Sequence, residues 1–131
     1  MRFFRTVLFS ILIAAILSCG SSYEEPDSAI EAGRQFISAI YNGNFKRAGQ
    51  LIIEEKTNLE KLEEEIEKDF RSRNSFAKDS LSNASIQINR ITSIDSVTTV
   101  MEYTNAYHNS EAILVIVNEN GFWRVKIEKI K

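Results

Sequence analysis

A chain of 131 residues is long enough for one well-filled core and too short for two, and 18 acidic against 16 basic residues leave it at net −2. No Lys/Arg cluster or stripe is present, so nothing supplies the phosphate neutralisation that nucleic acid demands, nor an electrostatic hold on anionic lipid. A single cysteine excludes an internal disulfide.

Residues 1–18 differ in kind from the rest. Arg2 and Arg5 stand in a start without acids, and Val7 to Leu17 is apolar except for Ser10. Such a run rises only ~17 Å as a helix, short of the ~30 Å hydrocarbon core of a bilayer. A basic start, a short apolar middle and a small residue before the cut describe a secretory leader, not a permanent span. Both of these basic residues precede Cys19 and every acid follows it. The remainder therefore carries 14 basic against 18 acidic groups, net −4.

Ile16-Leu17-Ser18-Cys19-Gly20 resembles a lipobox, with an aliphatic residue at −3, a small one at −1 and cysteine at +1. The resemblance implies cleavage between Ser18 and Cys19 and diacylglycerol on the Cys19 sulfur. That lipid is the only cofactor expected, with the membrane as a partner held through it. One acyl chain binds a membrane marginally and two hold it firmly. The competing reading is a plain secretory leader that happens to end in cysteine. Gly20 is not the aspartate that retains many Gram-negative lipoproteins at the inner membrane, so the resemblance points to the outer one, facing the periplasm or the surface. Residues 19–27 read as the lipidated cysteine and a polar tether, and 28–131 as the folded domain.

Ser28-Ala29-Ile30-Glu31 has capping-box spacing, and Ile30, Gly33, Ile37 and Ile40 follow at helical steps, widened by Phe36 and Ala39. Asn42-Gly43-Asn44 ends this helix. A second is predicted over Phe45–Ile53. A third opens at Thr57-Asn58-Leu59-Glu60, with a seam of Leu62, Ile66 and Phe70 that extends through the stem of Arg73 to Ala77. Its opposite face is charged and includes the spaced pairs Glu64–Lys68 and Glu67–Arg71. That run reads as a solvated face; a cation site is the alternative.

After Ser80 the period becomes that of strands: Ala84–Ile94 with a bulge near Arg90, Val97–Tyr107, Glu111–Asn118, and Phe122–Ile127. Asn120-Gly121 predicts a two-residue hairpin turn that pairs Glu119 with Phe122, Ile116 with Val125 and Leu114 with Ile127. Trp123, Val125, Ile127, Leu114 and Ile116 then meet the helices. A tight turn at Asn109-Ser110 adds Met101, Tyr103, Asn105 and Tyr107 to that side. Ile113, Val115 and Val117 fall on the outer face.

Helices followed by a four-stranded antiparallel sheet make an α+β domain. In the order of Ala29-Ile30-Glu31 through Phe36-Ile37-Ser38-Ala39-Ile40, Asn42-Gly43-Asn44-Phe45-Lys46-Arg47-Ala48, and Asn120-Gly121-Phe122-Trp123-Arg124-Val125, the chain resembles the nuclear transport factor 2-like superfamily. It is similar in particular to lipoproteins of that group catalogued as domains of unknown function. The resemblance implies helices on a curved sheet, forming a cone whose mouth admits a small molecule, and a sheet face used for dimers. The superfamily contains isomerases, dehydratases, transport adaptors and modules with no known activity, so fold does not select function.

An isomerase or cyclase needs a base among its hydrogen-bond donors. No acid or histidine is expected beside Tyr103, Asn105 and Tyr107, and His108 falls in a turn, where one imidazole makes no metal site. No catalytic residue and no metal is expected. Two readings of the domain stay open. A non-catalytic envelope module presents Ile113, Val115 and Val117 to a second copy or another envelope protein. Alternatively the cone holds a small apolar ligand oriented by Tyr103, Asn105 and Tyr107, residues that serve equally as amphipathic core. Trp123 reads as core in preference to a stacking platform for a ligand.

Overall fold

The computed structural model describes residues 23–128. The leader, Ser18 and Cys19, the start of the tether and the last three residues lie outside the described residues. Among the described residues four helices precede four strands. α1 spans Ala29–Tyr41 and α2 Phe45–Leu51; α3 runs as α-helix through Lys56–Glu60, as π-helix through Lys61–Glu67 and again as α-helix through Lys68–Ser72; α4 is Ser75–Asn83. The strands are β1 (Ile86–Ser93), β2 (Thr98–Asn105), β3 (Ser110–Glu119) and β4 (Phe122–Lys126), an antiparallel meander in chain order.

Local chemistry sets these limits. Ser28 has extended backbone, and its hydroxyl accepts from the Glu31 N–H at 3.2 Å, satisfying one of the orphan donors that open α1. Gly43 turns the chain with φ +72°, and Asn44 then caps α2 by accepting from the Arg47 N–H at 3.1 Å.

The expected third helix does not reach Ala77. It stops at Arg73, because the Asn74 side chain accepts from the Ala77 N–H at 2.8 Å and starts α4 instead. Among the described residues there are therefore four helices where three are expected. Of the two spaced pairs, Glu67–Arg71 forms, while Glu64–Lys68, which straddles the end of the π-helical stretch, does not.

The β3–β4 register is the expected one, Glu119 opposite Phe122 and Ile116 opposite Val125, with Asn120 and Gly121 both at positive φ. The ladder ends at Lys126, so Ile127 is buried beyond it without pairing to Leu114. Between β2 and β3 the turn is Ala106–Asn109, four residues where two are expected, and Asn105 pairs with Ser110. The difference is even, so Met101, Tyr103 and Asn105 keep their inward face. Tyr107 leaves the sheet for the turn. β1 breaks register between Ile88 and Arg90, as a bulge does.

The core forms where α1 crosses the sheet. Phe36, Ile37, Leu51, Met101, Leu114, Ile116 and Val125 are fully enclosed. Gly33 permits the close approach, since a Cβ there would lie 2.7 Å from the Met101 Cε. Beside β4, Ile53 N–H donates to the Val125 carbonyl at 3.0 Å. The buried Asn58 accepts from Ile127 N–H at 3.1 Å and donates to the Ile53 carbonyl at 3.3 Å, tying α3 to the end of the sheet.

The last residues of the expected tether do not hang in solvent. Pro26 is buried, Arg124 pairs with Glu25 at 2.8 Å, and Arg47 donates to the Glu24 carbonyl at 2.8 Å while its guanidinium stacks 4.9 Å from the Tyr23 ring centre.

Trp123 is on the inner face as expected but only half buried, at the edge of the core. Trp123→Ala should therefore cost about 2 kcal/mol of unfolding free energy, below the ~3–5 kcal/mol typical of enclosed aromatics. Denaturant titration checks this, and an unchanged midpoint would mean the indole carries no packing.

Candidate ligand cavity

A cavity of about 330 Å³ lies between α3 and the sheet. Its helix wall is Glu65, Ile66, Asp69 and Phe70 of α3 and Arg73 just past its end, with Ile40 and Tyr41 from the end of α1 and Leu81 of α4. Its sheet wall is Tyr103, Asn105, Ser110, Ala112 and Ile127, and His108 stands in the β2–β3 turn. The π-helical stretch includes Glu65 and Ile66, and such stretches reshape helix walls at sites more often than elsewhere. Gly43 contributes indirectly: the Phe70 ring packs where a Cβ would stand, 2.7 Å away.

Three polar groups converge inside. The Tyr41 and Tyr103 hydroxyls lie 3.4 Å apart. Burial raises both above the ordinary phenol value, for Tyr41 against the opposing pull of the Tyr103 hydrogen bond and Arg73, and for Tyr103 by far more, with the neighbouring Tyr41 adding to the rise. Both remain protonated at any physiological pH and act as donors. Asn105 is the third. Its Oδ1 accepts from the Tyr107 N–H at 2.7 Å and the His108 N–H at 3.3 Å, which holds the turn as an Asx motif. Its Nδ2 is buried and has no acceptor among the described residues.

The rim carries charge. Arg73 Nη2 and Nε donate to Asp69 Oδ2 at 2.7 and 3.0 Å, a bond that raises the guanidinium further. The His108 imidazole is held below its ordinary value by burial first and by Arg73 second, against the opposing pull of Asp69. A lowered folded pKa means that the unfolded chain takes the proton first. His108 thus makes stability fall as pH drops through ~6.5, the unfolded value, until the folded pKa is passed. Comparing wild type with His108→Gln by denaturation between pH 7.5 and 5.5 should show the wild type losing more stability on acidification. Parallel curves would contradict the assignment.

Of the residues expected to face a ligand, Tyr103 and Asn105 do line the cavity, and both are fully buried. Tyr107 does not; it sits half exposed in the turn, edge-on to His108 at 5.1 Å and under the Arg73 guanidinium at 5.8 Å. Contrary to the sequence expectation, acids and a histidine do stand beside the tyrosines, because α3 brings in Glu65 and Asp69 and the longer turn folds His108 over the rim. The Ile66–Phe70–Arg73 seam carried a usable signal for this wall, whereas the carboxylates looked like ordinary solvated helix surface.

On the outer face Ile113 is 49 % exposed, while Val115 and Val117 are half buried between Val100, Arg124 and Lys126. Among the described residues no helix is long and apolar enough to cross a membrane, and no group of three or more His, Cys, Asp or Glu side chains is placed to hold a metal ion. Comparison with known proteins finds no matching family model, no similar curated protein and no similar solved structure.

Proposed function

We propose that this chain is a lipid-anchored envelope domain of the nuclear transport factor 2-like kind that holds a small, largely apolar molecule between its helices and sheet, without catalysis. The cavity of about 330 Å³ carries the reading. It falls within the range of natural ligand pockets, ~300–1,000 Å³, and combines an apolar lining with a few convergent polar groups, as such pockets do. The anchor rests on the leader and on the Ser18-Cys19 motif. Saturable one-to-one binding of butylbenzene, followed by the methyl NMR signals of Ile40, Leu81 and Ile127, is the expected result. No shift at millimolar probe would remove the reading.

A second reading, an envelope module contacting another copy or a protein partner through its outer sheet, is favoured by the exposure of Ile113 beside Val115 and Val117.

A further inference from the structure

Building on the lipid-anchored reading, which supplies the bilayer, we infer that the domain rests against the membrane by one end of its sheet, with Ile94, Val97 and Phe122 set among the lipid headgroups. In an antiparallel meander the β1–β2 and β3–β4 turns fall at the same end. The Val97 carbonyl accepts from the Asn118 N–H at 2.7 Å, and Asn118 pairs with Trp123, which puts Val97 and the start of β4 two strand spacings apart, about 10 Å. Three large apolar side chains stand out there: Ile94 is 62 %, Val97 44 % and Phe122 49 % exposed. The first turn is a held one. Asp95 Oδ1 accepts from the Val97 and Thr98 N–H groups at 2.8 and 2.7 Å, and the Ile94 N–H donates to the Thr98 carbonyl at 2.9 Å. Turn tips ordinarily carry polar residues, so a cluster of exposed apolar ones marks a surface that is covered in use.

What covers it follows from where the chain leaves the domain. Glu25 pairs with Arg124 at 2.8 Å, and that guanidinium lies 5.3 Å from the Phe122 ring centre, so the foot of the tether is beside the patch. Arg47 holds Glu24 and Tyr23 in turn. Cys19 precedes Tyr23 by four residues, at most about 14 Å of chain. An acyl group there brings the bilayer to this end of the sheet. The turn that holds His108, and the cavity beside it, stand roughly 23 Å away along the eight residues of β2. Tethering keeps lipid at high local concentration, so a few side chains suffice where the free domain would not stay bound. Asp95, Glu119 and Glu25 stand at the same end, Glu25 already paired with Arg124, so the contact is apolar and needs no anionic lipid.

The mature chain, residues 19–131, has one cysteine, so Cys19 can be coupled to maleimide-headgroup lipid in phosphatidylcholine nanodiscs without cellular acylation. The discs also carry phosphatidylcholine with a nitroxide high on its acyl chain. The methyl NMR signals of Ile94 and Val97 should lose more than about half their intensity, and those of Leu81 and Ile113 little, since apolar groups of a surface-lying domain sink only to the headgroup boundary. High salt should leave the pattern unchanged. Val97→Ser should reduce the loss at Ile94 at least about twofold, because it removes one of the three apolar contacts. Phe76→Ser should not, although Phe76 is 79 % exposed, because α4 leads into the opposite end of β1, across from Asn105. If Val97→Ser fails to fold, the wild-type pattern decides alone.

Uniform broadening, broadening strongest at Ile113, no broadening, or a pattern that vanishes in salt would overturn this inference. Coupling bypasses acylation, so none of these outcomes touches the anchor. That reading falls only if Cys19 takes no lipid in the cell.

Discussion

Phe36→Ala is expected to remove about 3–5 kcal/mol of unfolding free energy. The ring has no exposed surface and lies on the buried face of α1, which crosses β2, β3 and β4. Truncation loses the transfer free energy of the ring and leaves a void that the sheet cannot close, because Met101, Leu114 and Ile116 are fixed by their ladder. A domain of this size has a total stability of about 5–15 kcal/mol, so the variant should be close to unfolding at moderate temperature. Denaturant titration measures the loss by linear extrapolation. A cost below about 1 kcal/mol would mean that α1 is not seated on the sheet through this ring.

Cys19→Ala is expected to abolish acylation. Wild-type chain made in a cell that processes lipoproteins should incorporate labelled palmitate and stay with membranes through high-salt washing, since its retention is apolar and not electrostatic. The alanine variant should incorporate none. Equal labelling of the two, or a wild-type amino terminus carrying a free thiol, would refute the anchor. Arg47 and Arg124 already hold Tyr23 to Glu25 against the domain. An acyl group four residues earlier would thus keep the folded part within roughly 14 Å of the bilayer.

What the sequence made legible follows from how local each signal is. Ser28, Gly43 and Asn120-Gly121 act on neighbouring backbone, and each limit they predict is found. Strand faces were also legible, because a period of two survives an even change in loop length; Met101, Tyr103 and Asn105 point inward although the turn beside them is longer than expected. The break at Asn74 is a contest between a side-chain cap and a continuing apolar seam, and in the fold the cap wins. The π-helical stretch has no compositional mark. Neither does the rim: Glu65 and Asp69 are exposed carboxylates like their neighbours, and only the fold places them beside a cavity. The orphan Asn105 amide was not visible either, since a donor lacks a partner only relative to everything packed round it.

The most direct test is a crystal structure of the chain from residue 19 onward. The space between α3 and the sheet should stand open at about 330 Å³, with Tyr103 and Asn105 in its sheet wall. Phe70 and Leu81 closed down to fill that space would contradict it.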